Sequence, residues 1–201
     1  MQTRVIDAAC EPQAWAGQQW ADVQLGDVRL ARRAVELGCR MARAPSASLP
    51  AQMQQPALLK AAYRFMANGR VSHASLSQPH WQQTRQVAGQ QPCVLLVQDG
   101  TELDYTHYGR TMAGLGVVGT GRFASGLLLH TTLGIVPGSR QVLGLLHQQV
   151  HRRHLIPPGT NRRQRPKTER ESRVWGEALR AIGGPPAGVR WVVVADRGAD
   201  D

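Results

Sequence analysis

Two aspartates follow short apolar runs that have the character of buried strands. Asp99 comes just after residues 93–97, and Asp196 comes directly after residues 189–195. Burying a carboxylate at such a place is costly unless it is paired or binds a cation. If the two strands are parallel neighbours, the acids meet at one edge of the sheet, where magnesium or manganese would relieve their repulsion. The alternative is that each acid caps the turn after its strand, paired with a group such as Arg197.

A second group with metal-binding chemistry consists of His147, His151 and His154. At helical spacing these side chains share a face and could bind zinc. The surrounding residues instead have the pattern of a strand followed by a loop. The sequence therefore argues against a zinc site at this place.

Arginine carries most of the positive charge of the sequence. Lysine and arginine number 24 against 14 acidic residues, a net charge of +10, and Lys60 and Lys167 are the only lysines. The planar guanidinium suits phosphates and guanine edges, so the excess favours nucleic-acid binding. A GC-rich coding bias in a merely basic soluble protein explains the excess as well.

Helices in residues 1–90 are the elements that would present this charge. One helix is predicted at 27–44, with Asp27 as its N-cap, and others at 56–67 and 72–87. The apolar stripe of the first consists of Leu30, Ala34, Leu37 and Met41. Another face of the same helix has the same period and carries Arg29, Arg33, Arg40 and Arg43. A helix with arginine on one face suits DNA, although a solvated surface has the same pattern.

Strands after Pro92 are the elements that would position the two aspartates. They are predicted at 93–97, 127–136, 141–150 and 189–195, with a helix at 169–182 before the last one. The predicted fold class is therefore α+β. A helical domain occupies residues 1–90, and an α/β core with a mixed sheet occupies residues 91–201.

Several classes of protein are disfavoured by composition. No apolar run is long enough for a membrane span or a signal peptide, so no membrane partner is expected. Cys10, Cys39 and Cys93 lie far apart and have no metal-ligand spacing. Their odd number disfavours a disulfide framework and favours a reducing cytoplasm.

Several segments, in order along the chain, resemble insertion-sequence transposases of the Tn-five kind, the IS-four group. The matching segments are Trp20-Ala21 with 25–33, then 62–65, Gln98-Asp99 with 101–105, 145–148, Glu171-Ser172 with Trp175, and Ala195-Asp196-Arg197 with Ala199-Asp200. Together they cover nearly the whole chain.

This resemblance implies a helical domain that binds double-stranded DNA at transposon ends, followed by a ribonuclease-H-like core. The core of this family holds magnesium or manganese with an Asp, Asp, Glu triad, and Asp99 and Asp196 take the first two places as catalytic residues and metal ligands. The positions that the resemblance assigns to DNA contact are Arg29, Arg33 and Arg64, and we expect their neighbours Lys60 and Tyr63 to contact DNA as well. The implied function is DNA cleavage and strand transfer in the bacterial cytoplasm, at the nucleoid, with a homodimer on DNA as one arrangement.

The sequence departs from this family at three places. Gly100 stands where the family has threonine, Gly198 stands where it has glutamate, and the family's catalytic glutamate has no counterpart before Asp201. We therefore expect a truncated core that binds DNA without cutting it, with the two-ion site present only in a full-length protein. One alternative is an inactive remnant or regulator of transposition, and another is a structure-selective nuclease on the same core. If the chain does cut DNA, the third ligand is expected among Glu102, Asp104 and Asp200.

Overall fold

The computed structural model describes residues 11–109, 111–119, 124–153 and 172–196. The chain divides into two compact units, residues 1–83 and residues 84–201. The division falls within a helix, slightly before the boundary at residue 90 that the change of sequence pattern predicts.

The first unit is built from helices. They are α1 (Pro12–Trp20), α2 (Val28–Arg43), α3 (Leu49–Met53), α4 (Pro56–Met66) and α5 (His73–Ala88), the last of which continues into the second unit. The apolar period predicts α2, α4 and α5 to within one residue at each end. It does not predict α1, whose apolar residues form no stripe, or α3, which has only five residues.

Helix α2 begins at an N-cap and buries one face. Asp27 has an extended backbone, and its carboxylate accepts a hydrogen bond of 2.9 Å from the N–H of Arg29. The buried core that α2 shares with its neighbours consists of Val23, Leu25, Ala31, Ala34, Leu37, Met53, Ala62 and Phe65. The prediction that Met41 belongs to the apolar stripe is wrong, because this side chain is 40% exposed in the last turn of α2.

Gly38 allows α1 to approach α2 closely. A Cβ at this position would lie 2.0 Å from the ring of Trp20, so a larger residue would push the indole away. The indole N–H of Trp20 donates a hydrogen bond of 2.9 Å to the carbonyl oxygen of Leu76. Trp20 therefore joins α1, α2 and α5 within the first unit.

The described residues of the second unit contain, after the end of α5, a mixed five-stranded sheet, a short 3-10 helix (Thr106–Tyr108) and an α-helix that follows the antiparallel strands. The elements are β1 (Cys93–Asp104), β2 (Gly116–Val117), β3 (Ser125–Val136), β4 (Gln141–His151), α6 (Arg173–Ile182) and β5 (Arg190–Val194). Strand β3 is antiparallel to β1 on one side and to β2 and β4 on the other, while β5 is parallel to β1. Helices followed by this mixed sheet confirm the predicted α+β fold class.

Strand β1 is longer than the apolar run at 93–97 predicts. Its pairing with β3 continues from Leu95 opposite Ile135 to Asp104 opposite Gly126. The residues of β1 beyond Gln98 are mostly exposed, so the apolar pattern ends before the hydrogen-bonded pairing does.

The sheet has one well-buried face. Alternate residues of a strand project to the same side, and on β1 the buried ones are Val94, Leu96 and Gln98. The core on this side consists of Val87, Ala88, Val94, Leu96, Leu143, Leu146 and Ile182. Among the helices that the structure describes, none has the length and apolar composition needed to cross a membrane.

Candidate nucleic-acid interface and acidic sheet edge

Asp99 and Asp196 follow the carboxyl ends of paired segments in adjacent parallel strands. The register of β1 with β5 pairs Val97 with Val194, and each aspartate lies two residues further along. Asp99 is still within β1 and lies on the sheet face of Val97, because alternate strand residues share a face, whereas β5 ends before Asp196. Both aspartates are exposed, and the N–H of Gly100 donates a hydrogen bond of 2.8 Å to the Asp99 carboxylate. The parallel pairing on which the prediction depends is present, and the metal-binding role stays a prediction.

The other carboxylates of β1 lie on the opposite face of the strand. Glu102 and Asp104 are an odd number of residues from Asp99, so they project to the other side. Glu102 forms an ion pair of 2.9 Å with Arg153. Hydrogen bonds from the hydroxyl and the backbone N–H of Thr106 lower the pKa of Asp104. The expectation that Glu102 or Asp104 completes a site with Asp99 is therefore not supported by their orientation.

Within the described ranges, no group of three or more His, Cys, Asp and Glu side chains is arranged to hold a metal ion. Asp200 and Arg197, which the sequence suggested as a further ligand and an ion-pair partner, lie outside those ranges, as does His154.

Three histidines lie on the buried side of the sheet. His147 and His151 of β4 pair with Thr132 and Leu128 of β3, and these β3 residues share a face with His130. Residues four apart share a face on a strand as well as on a helix, so His147 and His151 lie on one face of β4. The shared face of His147 and His151 could therefore be predicted from the sequence.

His130 is enclosed between the sheet and α6. Only 2% of the residue is exposed, and its ring centroid lies 4.7 Å from that of Trp175 in a T-shaped arrangement. Burial, followed by the charges of His151 and His147, lowers the pKa of His130 to about 4, against an opposing effect of Asp99. His130 is therefore neutral in the folded chain at neutral pH.

The exposed face of α2 is lined with arginine. With 3.6 residues per turn, five arginines project within an arc about 100° wide, on the side opposite Ala34 and Gly38. These are Arg29, Arg32, Arg33, Arg40 and Arg43. We call this surface the arginine face. Arg32 belongs to it together with the four arginines that the sequence pattern predicts.

Arg29 is held by the N-cap of its own helix. Its Nη2 lies 3.0 Å from Oδ2 of Asp27, and its Nε donates to both oxygens of the same carboxylate. The side-chain hydrogen bond lowers the pKa of Asp27 and raises that of Arg29. Because the side chain of Arg29 is 85% exposed, its guanidinium can exchange this carboxylate for a phosphate without leaving solvent.

Glu36 lies in the middle of the arginine face. Its Oε2 is 2.5 Å from Nη1 of Arg33, and its Oε1 is 3.9 Å from Nε of Arg40. Ion pairs on an exposed helix surface add little stability. The main consequence is that Glu36 offsets the charge of two arginines, whereas Arg32 and Arg43 have no acidic partner among the described residues.

Helix α4 presents a second basic surface. Lys60, Tyr63 and Arg64 are exposed and lie at the i, i+3, i+4 spacing of one helix face. Tyr63 is 54% exposed, so its phenol is accessible to a ligand. Just after α4, Nη1 of Arg70 donates a hydrogen bond of 3.2 Å to the carbonyl oxygen of Gly26. The C-terminal end of α4 is therefore close to the beginning of α2.

The arginine face and the basic surface of α4 both lie in a segment that matches a known protein family. Residues 12–71 match the family model described as transposase DNA-binding. The match contains α1 to α4 and supports a transposase N-terminal domain whose partner is DNA. We call these residues the transposase DNA-binding region.

All five residues predicted to contact DNA lie within the transposase DNA-binding region, on the exposed faces of α2 and α4. Arg29 and Arg33 are paired with carboxylates, whereas Lys60 and Arg64 have no acidic partner in the described ranges. The helical period was enough to place these residues on the surface. Their contacts with DNA stay predictions.

Proposed function

We propose that this chain binds duplex DNA through the arginine face of α2 and the Lys60, Tyr63, Arg64 face of α4, as the end-recognising part of a transposase. The observation that carries the proposal is five arginines on one exposed helix face within residues that match a transposase DNA-binding family.

The chemistry of the two faces fits duplex DNA. The major groove admits an α-helix, and a guanidinium can donate two hydrogen bonds to O6 and N7 of guanine. Contacts to phosphates fix the position and register of the helix, whereas contacts to base edges select the sequence. Tyr63 adds a phenol that can donate to a phosphate beside Lys60 and Arg64.

Replacing Arg33 or Arg64 by alanine is expected to weaken binding by about 1 to 3 kcal/mol where the arginine contacts a base. Each change removes one guanidinium from an exposed helix surface, so the fold should be retained. The measurement is fluorescence anisotropy of the full 201-residue chain with a labelled duplex enriched from a randomised library. Circular dichroism of each variant checks the fold.

A matched control is Arg190→Ala, which removes the same charge from the first residue of β5 in the second unit. This variant should bind the duplex as tightly as the wild-type chain does. Equal affinity of wild type, Arg33→Ala and Arg64→Ala would contradict the proposed interface. If Arg190→Ala lost as much affinity as these two variants, the loss would reflect the net charge of the chain and not the interface.

We further propose that the second unit supplies Asp99 and Asp196 as ligands for magnesium or manganese in DNA cleavage and strand transfer. The parallel pairing of β1 with β5 supports this, because each of the two carboxylates follows the last pair of that register by two residues, at the same end of adjacent strands. A pair of such ions would supply the activation of a water or a DNA 3′-hydroxyl and the stabilisation of the leaving oxygen. Asp99 and Asp196 would hold such an ion, and the carboxylate of Asp99 accepts a hydrogen bond from the N–H of Gly100 in the structure.

Asp99→Asn and Asp196→Asn are each expected to weaken manganese binding, because each removes a charged oxygen ligand from a shared site. The measurement is electron paramagnetic resonance of free Mn²⁺ during titration of the chain. Glu102→Gln is the matched control, since this side chain projects to the other face and should not change the affinity. If the wild-type chain does not bind manganese better than the Asp99→Asn variant, the alternative of a DNA-binding remnant or regulator is favoured.

A further inference from the structure

A groove runs between α1 and α2 in the transposase DNA-binding region. Its volume is about 490 Å³, within the range of pockets that hold small ligands. Val28, Ala31 and Val35 give it an apolar lining, and Arg32 and Arg43 line it as well. We call it the α1–α2 groove.

The charge of the α1–α2 groove is unbalanced. Glu36 is the one carboxylate among its described lining residues, and it is already engaged by Arg33. Arg32 and Arg43 carry no acidic partner within the part of the chain that the structure describes. A polyanion is therefore the complementary occupant.

The spacing of the two arginines indicates more than one anionic group. Arg32 and Arg43 are eleven positions apart on α2, which corresponds to about 16 Å along the helix axis. A strand that follows the helix offers successive phosphates along this distance, so each guanidinium can contact its own phosphate without the two side chains bending towards each other. The apolar lining suits the deoxyribose rings between those phosphates.

From these observations we infer that the α1–α2 groove seats the sugar-phosphate backbone of one DNA strand, with Arg32 and Arg43 each on a separate phosphate. The inference rests on the proposed function, because it takes DNA as the partner of this region. It goes further by dividing the arginine face into two parts. Arg32 and Arg43 hold the backbone whatever the sequence, whereas Arg33 is on the part of the face that can reach base edges.

The test is the salt dependence of binding by the full chain to two labelled duplexes, one enriched from a random library and one of unrelated sequence. Arg32→Ala and Arg43→Ala should weaken both duplexes by the same factor. Each variant should also make the slope of log K against log salt shallower by about 0.9, the value for one lost phosphate contact. Arg32→Lys should restore the slope, because a phosphate contact needs the charge more than the guanidinium geometry.

The outcomes separate the inference from the proposed function. If the wild-type chain binds neither duplex, the proposed function fails. If it binds and both alanine variants keep the wild-type slope, only the groove inference fails. A loss confined to the enriched duplex would also overturn it, since base contacts would then be involved. Polyglutamate that binds the wild-type chain as tightly as DNA does would show a general polyanion site and overturn the assignment to DNA.

Discussion

Raising the salt concentration from about 50 to about 200 mM is expected to weaken duplex DNA binding by between a hundredfold and several thousandfold. Each phosphate that the protein neutralises releases condensed counterions, and added salt opposes that release. The exposed faces of α2 and α4 offer seven cationic side chains for such contacts. These are Arg29, Arg32, Arg33, Arg40, Arg43, Lys60 and Arg64.

The slope of this dependence reports how many of those cations contact phosphates. If only the four side chains without a described acidic partner do so, the slope of log K against log salt should be about −3.6. If Arg29, Arg33 and Arg40 leave their carboxylates as well, it should be about −6.3. A slope close to zero would contradict the electrostatic interface altogether.

Glu36→Gln distinguishes these two cases. The substitution removes the carboxylate that Arg33 and Arg40 share, while an amide of the same shape remains on the helix surface. If the ion pairs with Glu36 keep Arg33 and Arg40 from contacting phosphates, this variant should bind DNA more tightly than the wild type, and its slope of log K against log salt should be steeper. Anisotropy titrations at a series of salt concentrations measure both quantities, with Arg190→Ala again as the control.

The helical part of the fold could be predicted because its signals are local. The period of the apolar residues, with Asp27 before it, was enough to place α2 and its N-cap. The same period placed arginines on the exposed side. What it did not give is which cations are available, since the pairing of Glu36 depends on the side-chain conformations of Arg33 and Arg40.

The sheet was less predictable because its register is not local. The apolar run at 93–97 ends just before Gln98, yet β1 continues to Asp104. It continues because β3, which lies further along the chain, supplies hydrogen-bond partners as far as Gly126. The position of Asp99 at the end of an apolar run could be read directly. Its alignment with Asp196 required knowing that β5 pairs with β1 in parallel.

Lowering the pH from about 7 to about 4 is expected to destabilise the second unit by roughly 3 kcal/mol through His130 alone. Its pKa is about 4 in the folded chain, mainly because the neutral ring is buried, against an ordinary value of 6.5. Between these values the unfolded chain binds a proton that the folded chain does not. The stabilising contribution is therefore complete above about pH 6.5 and is lost progressively as the pH falls towards 4.

The groups around His130 determine how steeply the stability of the second unit falls with pH. The charges of His151 and His147 on β4 lower the pKa of His130, whereas Asp99 favours its charged form. From α6, Trp175 contributes an uncharged contact with the His130 ring. The charged groups of α6 near β4 include Glu177, which accepts a hydrogen bond from the side chain of Gln149, and Arg173, which forms an ion pair with Glu177.

His130→Phe is the variant that isolates this effect. Phenylalanine keeps an aromatic ring against Trp175 but cannot take up a proton, so the difference in stability between variant and wild type should grow in favour of the variant as the pH falls. Urea unfolding of the full chain between pH 7 and pH 4 measures this difference.

His80 of the first unit, whose pKa is also lowered by burial, contributes equally to both proteins and cancels. His107→Gln, at an exposed position, should follow the wild-type curve. A pH dependence that is the same in wild type and His130→Phe would show that this histidine does not control the acid stability of the sheet.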